Sequence, residues 1–283
     1  MSAHATKSEA ERDAQMTAQR EEAKYLVSLE QARVVLRELD TRLDAHRHRG
    51  EGANRLPQAQ HYVTTIYFDT ASRTLFHAAS RSSSHLKLRA KEYYDLHPDL
   101  TETATDPRQI VRFQPILWLE IKSRDGVHSG KRRIGLPKRD VPAFFARGEV
   151  TPEMVQIQEA SHGAEARSVL EAVRDLCSSC SEPLRADCLV NYRRKAWQDA
   201  AGELRVTLDS GLAYYRPPDD LWDREWALLR STLGTPVASA EHRVLEIKSR
   251  ADQPAWLKEL LQTQGIQLAS FSKFEAASSA VHG

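Results

Sequence analysis

Apolar and charged residues take turns along much of this chain, and successive side chains of a β-strand point to opposite faces. In His85 to Tyr93, Lys87, Arg89 and Lys91 share one face while Leu86, Leu88 and Ala90 share the other. Glu120 and Lys122 oppose Leu119 and Ile121, and Glu246 and Lys248 oppose Leu245 and Ile247. Arg205, Thr207 and Asp209 oppose Leu204, Val206 and Leu208; Lys131 and Arg133 stand opposite Arg132 and Ile134. A first strand, Glu21 to Val27, carries Glu22 and Lys24 together. Further strands are predicted at His61 to Phe68, Ile116 to Ser123, Lys131 to Leu136, Cys188 to Trp197, Glu203 to Asp209, Arg243 to Ser249 and Leu268 to Ala276.

Helical spacing appears between these runs. Ser28 with Gln31 forms a capping-box pattern, followed by Leu29, Ala32, Leu36, Leu39 and Leu43. Val141 to Ala146 predicts a short helix, and Glu165 to Cys177 gathers Val169, Leu170, Val173 and Leu176 on one side. Pro254 is expected in the first turn of a helix through Trp256, Leu257, Leu260 and Leu261. Asp95 to Arg112, polar and carrying Pro98 and Pro107, reads as a long loop. The predicted class is α+β, an antiparallel eight-stranded β-barrel tunnel with helices packed outside. Residues 1–19 are expected to be a flexible tail and 20–283 one domain. Leu119-Glu120-Ile121-Lys122-Ser123-Arg124 recurs as Leu245-Glu246-Ile247-Lys248-Ser249-Arg250, as two strands facing one lumen would.

Composition narrows the function. The 283 residues carry 40 Lys and Arg against 39 Asp and Glu, so the chain as a whole is no general nucleic-acid or membrane-surface binder. Any anion site must arise from where the cations sit. No apolar run approaches the roughly 20 residues of a membrane helix, and residues 1–20 lack the apolar stretch of a secretory signal. Cys177 and Cys180 make a lone C-x-x-C and Cys188 stands apart. These read as reduced thiols, and the expected location is cytoplasmic. His46 and His48 fit either metal binding or, as expected here, a polar helix end. Tyr214, Tyr215 and Trp222 fit either base stacking or the packing of a loop on the sheet.

The charged faces carry the chemistry. A wet strand face accounts for charges on any one strand. Here, however, Lys, Arg and Glu dominate those positions across many strands, and cations outnumber carboxylates there. If amphipathic helices cover the apolar faces, the charges look inward. Buried cations in excess of carboxylates require anions, and several linked phosphates supply them. Carboxylates among them suit Mg²⁺ or Mn²⁺, which take one or two protein carboxylates plus phosphates.

At this point the chain resembles the VTC domain, the polyphosphate polymerase domain of vacuolar transporter chaperone proteins, within the CYTH-like triphosphate tunnel group. The resemblance rests on Glu22-Ala23-Lys24-Tyr25, Tyr67-Phe68-Asp69-Thr70, Leu86-Lys87-Leu88-Arg89, Leu119-Glu120-Ile121-Lys122 and Gly130-Lys131-Arg132-Arg133. It continues with Tyr192-Arg193-Arg194, Leu204 to Asp209, Val244-Leu245-Glu246-Ile247-Lys248 and Phe271-Ser272-Lys273-Phe274, in order from about residue 20 to 276. It implies phosphate contacts from Lys24, Lys87, Arg89, Lys122, Lys131, Arg133, Arg194, Lys248 and Lys273. It implies a catalytic set of Lys24, Arg89, Lys122, Arg194, Lys248 and Glu246. The metal, Mn²⁺ or Mg²⁺, would sit on Glu246, helped by Glu120 or Glu22. Arg205 and Asp209 are candidates for an ion pair shaping the wall. The implied partners are ATP and polyphosphate or tripolyphosphate, with no nucleic acid.

One departure matters. Tunnel triphosphatases open with E-x-E-x-K, and the same frame here reads Arg20-Glu21-Glu22-Ala23-Lys24. That favours polymerase-like transfer of the ATP γ-phosphate to a growing chain. The rivals are an inorganic tripolyphosphatase or nucleoside triphosphatase, and a non-catalytic polyphosphate- or nucleotide-binding protein. Neither a nucleophilic triad nor a Gly-rich phosphate loop is needed, because positioning and charge neutralisation carry phosphoryl transfer.

Overall fold

The computed structural model describes residues 21–46, 60–81, 85–94, 115–125, 128–224, 227–250 and 252–283. The predicted tail, the loop at Asp95 to Arg112 and His48 lie outside the described residues. Ten strands form one antiparallel sheet: β1 Glu21–Val27, β2 Asp44–Ala45, β3 Gln60–Asp69, β4 His85–Tyr94, β5 Ile116–Asp125, β6 His128–Pro137, β7 Arg185–Gln198, β8 Leu204–Tyr215, β9 Ala238–Ser239 and β10 Arg243–Ser249. Eight of them run in the order β1-β10-β8-β7-β3-β4-β5-β6, while β2 pairs with β7 and β9 with β8. The helices are α1 Leu29–Arg42, α2 Thr74–Arg81, α3 Val141–Arg147, α4 Pro152–His162, α5 Ala166–Ser178, α6 Ala255–Thr263 and α7 Lys273–His282.

The predicted alternation becomes two faces. On the outer face, Leu88, Ala90, Leu119, Ile121, Ile134 and Leu136 pack against Val141 and Phe144 of α3, Met154 of α4, and Leu170 and Val173 of α5. Farther along, Tyr25, Val27, Val206, Leu208, Leu245 and Ile247 pack against Ala32, Val35 and Leu39 of α1 and Leu257 and Leu261 of α6. Each fully buried Leu, Ile, Val, Phe or Met among them contributes about 1.5–3 kcal/mol. The capping box of α1 is formed: Gln31 N–H donates to Ser28 Oγ at 3.2 Å, and Ser28 N–H donates to Gln31 Oε1 at 2.9 Å.

The inner face is concave. Arg89 of β4 stands opposite Glu120 of β5 and Tyr67 of β3, and Lys24 of β1 stands opposite Glu246 of β10. In a flat sheet at ~4.8 Å per strand, Lys91 and Glu246 would be ~19 Å apart and Glu22 and Lys122 ~29 Å apart. Yet Glu246 acts on the Lys91 ammonium, and Lys122 acts on the Glu22 carboxylate. Charges separated by more than about 8–10 Å are largely screened, so the sheet curls and its charged faces look at one another.

The structure corrects the sequence reading in several places. The barrel is not closed: β1 and β6 are the ends of the strand path, with no β1–β6 pairing among the described residues. Both edges are covered by other groups. Ala269 N–H donates to the Lys24 carbonyl at 2.8 Å beside β1. At β6, the Gln158 amide of α4 accepts from Gly135 N–H at 3.3 Å and donates to the Gly135 carbonyl at 2.7 Å. Covering an edge removes its capacity to pair with another strand.

The expected last strand, Leu268 to Ala276, is reduced to one antiparallel bridge between Leu268 and Tyr25 and an irregular stretch, followed by the start of α7. Ser272 Oγ accepts from Glu275 N–H at 3.4 Å, and Phe274, Ala277, Ser278 and Val281 follow at helical spacing. Nor do all helices lie outside. Phe274, Ala277 and Val281 of α7 pack on the inward-facing Val63, Tyr67, Tyr192 and Val244, filling one end of the concave face. Two helices, α2 and α4, were not anticipated. Pro254 proves to be the N-cap of α6 rather than a residue of its first turn.

Candidate functional site

Inward-facing positions of the strands, with the first turn of α7, build one charged surface. Glu22, Glu120, Asp209, Glu246 and Glu275 are its carboxylates. Lys24, Lys87, Arg89, Lys91, Lys122, Arg133, Arg194, Arg205, Lys248 and Lys273 are its cations, two for each carboxylate. The side chain of Lys131 lies outside the described residues.

Two carboxylates form one end of the cluster. Lys248 Nζ lies 3.2 Å from Glu22 Oε2 and 3.1 Å from Glu246 Oε1, and Lys24 Nζ lies 3.0 Å from Glu22 Oε1. Burial pushes the Glu246 carboxyl up, but Lys248, Arg194, Lys273 and Lys24 outweigh it and hold it well below the usual carboxylate range. Burial and Glu246 push Glu22 up, and Lys248, Lys24 and Lys122 bring it below its ordinary value. Burial opposes charge on Lys248, yet Glu246 and Glu22 raise its pKa. Both carboxylates are therefore ionised at neutral pH.

The opposite wall is more cationic. Arg89 Nε donates to Glu120 Oε2 at 2.8 Å, and Lys91 Nζ lies 3.7 Å from the same oxygen. One carboxylate cannot satisfy both cations. Burial, reinforced by Arg89, pushes the Lys91 ammonium well below its ordinary range against the pull of Glu120. Lys122 is more open to solvent, and its surroundings together with Arg89 lower it too. Arg133 lies over the Trp118 ring at 4.5 Å. Deeper in, Arg194 donates to both oxygens of Asp209 and Lys273 reaches the same carboxylate. Lys87 pairs with Glu275 of α7 at 3.1 Å.

These contacts correct one pairing. Asp209 is held by Arg194 and Lys273, not by Arg205, which sits four residues away along the same strand. At ~3.3 Å per residue that spacing is ~13 Å, beyond the reach of an ion pair. Lys273 arrives from the start of a helix rather than from a strand. The sequence places Lys91 on the charged face without singling it out for the site. Its signal was its alternation with Arg89. Tyr67 and Tyr192 also line this face, and burial pushes the Tyr67 hydroxyl up to about 12. Tyr214 and Tyr215 are buried strand residues, and Trp222 stacks on Phe68 at 6.1 Å, which is packing. Cys177, Cys180 and Cys188 are free thiols that burial pushes up, Cys177 to about 12, so they are poor nucleophiles.

The donor set suits a hard divalent ion in one respect. Glu22 and Glu246 share Lys248 and raise each other's proton affinity, and Mg²⁺ characteristically takes one or two carboxylates plus substrate phosphates. No group of three metal-ligating side chains occurs among the described residues. Glu120 is engaged by Arg89 and Lys91.

An antiparallel sheet curled around a cation-rich face, with ionised carboxylates at one end, defines a tunnel-type protein with a surface suited to anions. The chain belongs to the VTC domain family, whose profile matches residues 19–282. It thus falls among polyphosphate- or nucleotide-handling tunnel proteins. Among solved structures it is similar to a "putative adenylate cyclase" from Bacillus halodurans, at 16% identity and a TM-score of 0.46, over 91% of this chain and 97% of that one. No curated protein matches the chain. No helix among the described residues is long and apolar enough to cross a membrane.

Proposed function

We propose that this protein is a metal-dependent polyphosphate polymerase that transfers the γ-phosphate of ATP to the end of a polyphosphate chain and releases ADP. The observation that carries the reading is the two-to-one excess of cations over carboxylates on one inward face, in a chain whose total charge is +1. Lys24, Lys87, Arg89, Lys91, Lys122, Arg133, Arg194, Lys248 and Lys273 bind non-bridging oxygens, with Lys131 as a further candidate. Arg89 and Arg194 are each held by a carboxylate, which fixes their donors before substrate arrives. Lys91 and Lys122, whose charged forms burial opposes, gain most when phosphates enter. Glu246 and Glu22 would hold Mn²⁺ or Mg²⁺, with Glu120 as the third candidate. Bound there, the ion would supply charge neutralisation for the substrate phosphates. The attacking group is the terminal phosphate oxygen of the chain, so no protein nucleophile is required.

One observation favours a second reading, a tripolyphosphatase using water as the nucleophile. Helix α7 fills one end of the concave face, which limits the directions in which a growing chain can run. Incubating the purified protein with ATP and Mn²⁺ separates the two. Long chains with ADP support the polymerase. Phosphate released from tripolyphosphate without chains supports the hydrolase, and no turnover of either sinks both.

A further inference from the structure

A second group of cations lies on the outer wall. Residues of β7 alternate faces, so Asn191, Arg193 and Lys195 look outward where Tyr192 and Arg194 look inward. The loop 227–233 lies over this wall. Leu228 N–H donates to Glu92 Oε2 at 3.2 Å and to Tyr94 Oη at 2.9 Å, and the Thr64 hydroxyl donates to the Leu228 carbonyl. The loop thereby delivers Arg230 to β7. Arg230 Nε donates to Asn191 Oδ1 at 3.2 Å, and its Nη2 donates to the carbonyls of Asn191 and Gly211. All three acceptors are neutral and do not engage Nη1; the neutral Tyr215 hydroxyl also lies within hydrogen-bond reach of Arg230.

Gly211 makes room beside it. β7 pairs Asn191 with Ala213 and Arg193 with Ser210, so β8 carries one extra residue there, and Gly211 takes a φ of +61°. A Cβ on Gly211 would stand 3.7 Å from Arg193 Nη2, 3.8 Å from Arg193 Nε and 3.8 Å from Arg230 Nη1. Two guanidinium groups therefore border one notch. Arg193 Nε is buried and has no hydrogen-bond partner among the described residues. Neither Arg193 nor Lys195 has an ion-pair partner among them. Glu92, on the same wall, is already engaged by Lys138 and Tyr94.

Half-buried cations with only neutral partners carry an unmet desolvation cost. The fork of donors on an arginine matches the oxygens of a phosphate. We propose that Arg193, Arg230 and Lys195 form a phosphate-binding site on the outer wall, separated from the tunnel by the sheet. Arg193 contributes Nη2, Arg230 contributes Nη1, and Lys195 adds charge from the next outward position, ~7 Å along β7. The ligand is a phosphate group, from inorganic phosphate or from one unit of a polyphosphate chain.

The test is metal-free calorimetry at low salt on the full chain, titrating inorganic phosphate and separately a long polyphosphate. The comparison is between the wild type and Arg193→Gln/Lys195→Gln, which removes no described ion pair. In the wild type we expect two classes of site, and in the variant at least tenfold weaker binding at one. Arg89→Ala should weaken the other class and leave the outer one unchanged. Loss of a class with inorganic phosphate identifies free phosphate as the ligand. Loss with the chain alone identifies a chain segment. A single class in the wild type, or both classes intact in the double variant, overturns the site. Failure of the ATP reaction leaves it standing, because neither nucleotide nor metal enters the measurement.

Discussion

Arg194 and Asp209 form a two-point ion pair inside the curled sheet, with Nε to Oδ1 at 2.6 Å and Nη2 to Oδ2 at 2.7 Å. Lys273 Nζ, from the first turn of α7, reaches the same Oδ2 at 2.7 Å. One fully buried carboxylate thus ties β7, β8 and the C-terminal helix together and takes up the charge of two phosphate-binding candidates. Both cations also act on Glu246 and help hold its carboxyl well below the usual range.

Asp209→Asn should therefore destabilise the fold by about 3–5 kcal/mol, the usual consequence of leaving buried charges without their partner. Urea unfolding reads this directly. Tripolyphosphate should restore part of the loss by substituting for the carboxylate. Burial pushes the Asp209 carboxyl up, but Arg194 and Lys273 hold it below its ordinary 3.8. A depressed folded-state pKa contributes stability that is fully present above the unfolded value, and that is lost as pH falls through the folded value. The wild type should accordingly lose stability below about pH 4 more steeply than Asp209→Asn. Equal acid slopes would remove Asp209 from this role.

Tripolyphosphate should raise the melting temperature without metal. A ligand that binds only the folded state stabilises it by about 2.7 kcal/mol at a hundred times its dissociation constant. Relief of repulsion among Arg89, Lys91 and Lys122 acts in the same direction. The shift should shrink as salt rises. An unchanged melting temperature at millimolar tripolyphosphate and low salt would count against the whole charged face as a phosphate site.

The covered edge of β6 offers a test of the open sheet. A Cβ on Gly135 would stand 2.7 Å from Ile157 Cγ2 and 3.2 Å from side-chain atoms of Ile116 and Trp118. Gly135→Ala should cost about 1–3 kcal/mol through overpacking. Gln158→Ala should cost a similar ~1–3 kcal/mol by leaving the buried Gly135 N–H and carbonyl without partners. Chemical denaturation of both variants checks the pair. A neutral Gln158→Ala would mean that α4 does not guard the edge.

The strands were legible because their alternation has period two and their charged residues are too many for loops. Arg89 and Glu120 could be assigned faces from that pattern alone. What brings Glu22 to Lys122 is curl accumulated over seven strands, which leaves no local mark. Helix α7 did leave one. Ser272-Lys273-Phe274-Glu275 is the S-x-x-E start signal, but it was absorbed into a strand by the apolar residues around it. Helix α4 also began legibly, with Thr151 as N-cap and Pro152 in the first turn. It was missed because Gln158, a buried position on its inner side, is polar and serves the edge of β6. The Arg205–Asp209 pairing was excluded by strand rise, an argument available from the sequence.

The final prediction separates grip from turnover. Glu246→Gln keeps the shape of the side chain but removes the charge a hard divalent ion needs. Metal-dependent turnover of ATP should be abolished. Metal-free tripolyphosphate binding should persist or tighten, because one repelling carboxylate is gone and Lys248 keeps Glu22 at 3.2 Å. Arg89→Ala acts on the other wall. Calorimetry without metal should read a loss of about 1.5–3 kcal/mol in tripolyphosphate binding, the range of a charged hydrogen bond. The Glu120 carboxylate, no longer held by Arg89, should deepen that loss by repelling phosphate and competing for Lys91. If Glu246→Gln turned over ATP at the wild-type rate, Glu246 would not hold the metal. The assignment would then pass to Glu22, because Glu120 is already engaged by Arg89 at 2.8 Å.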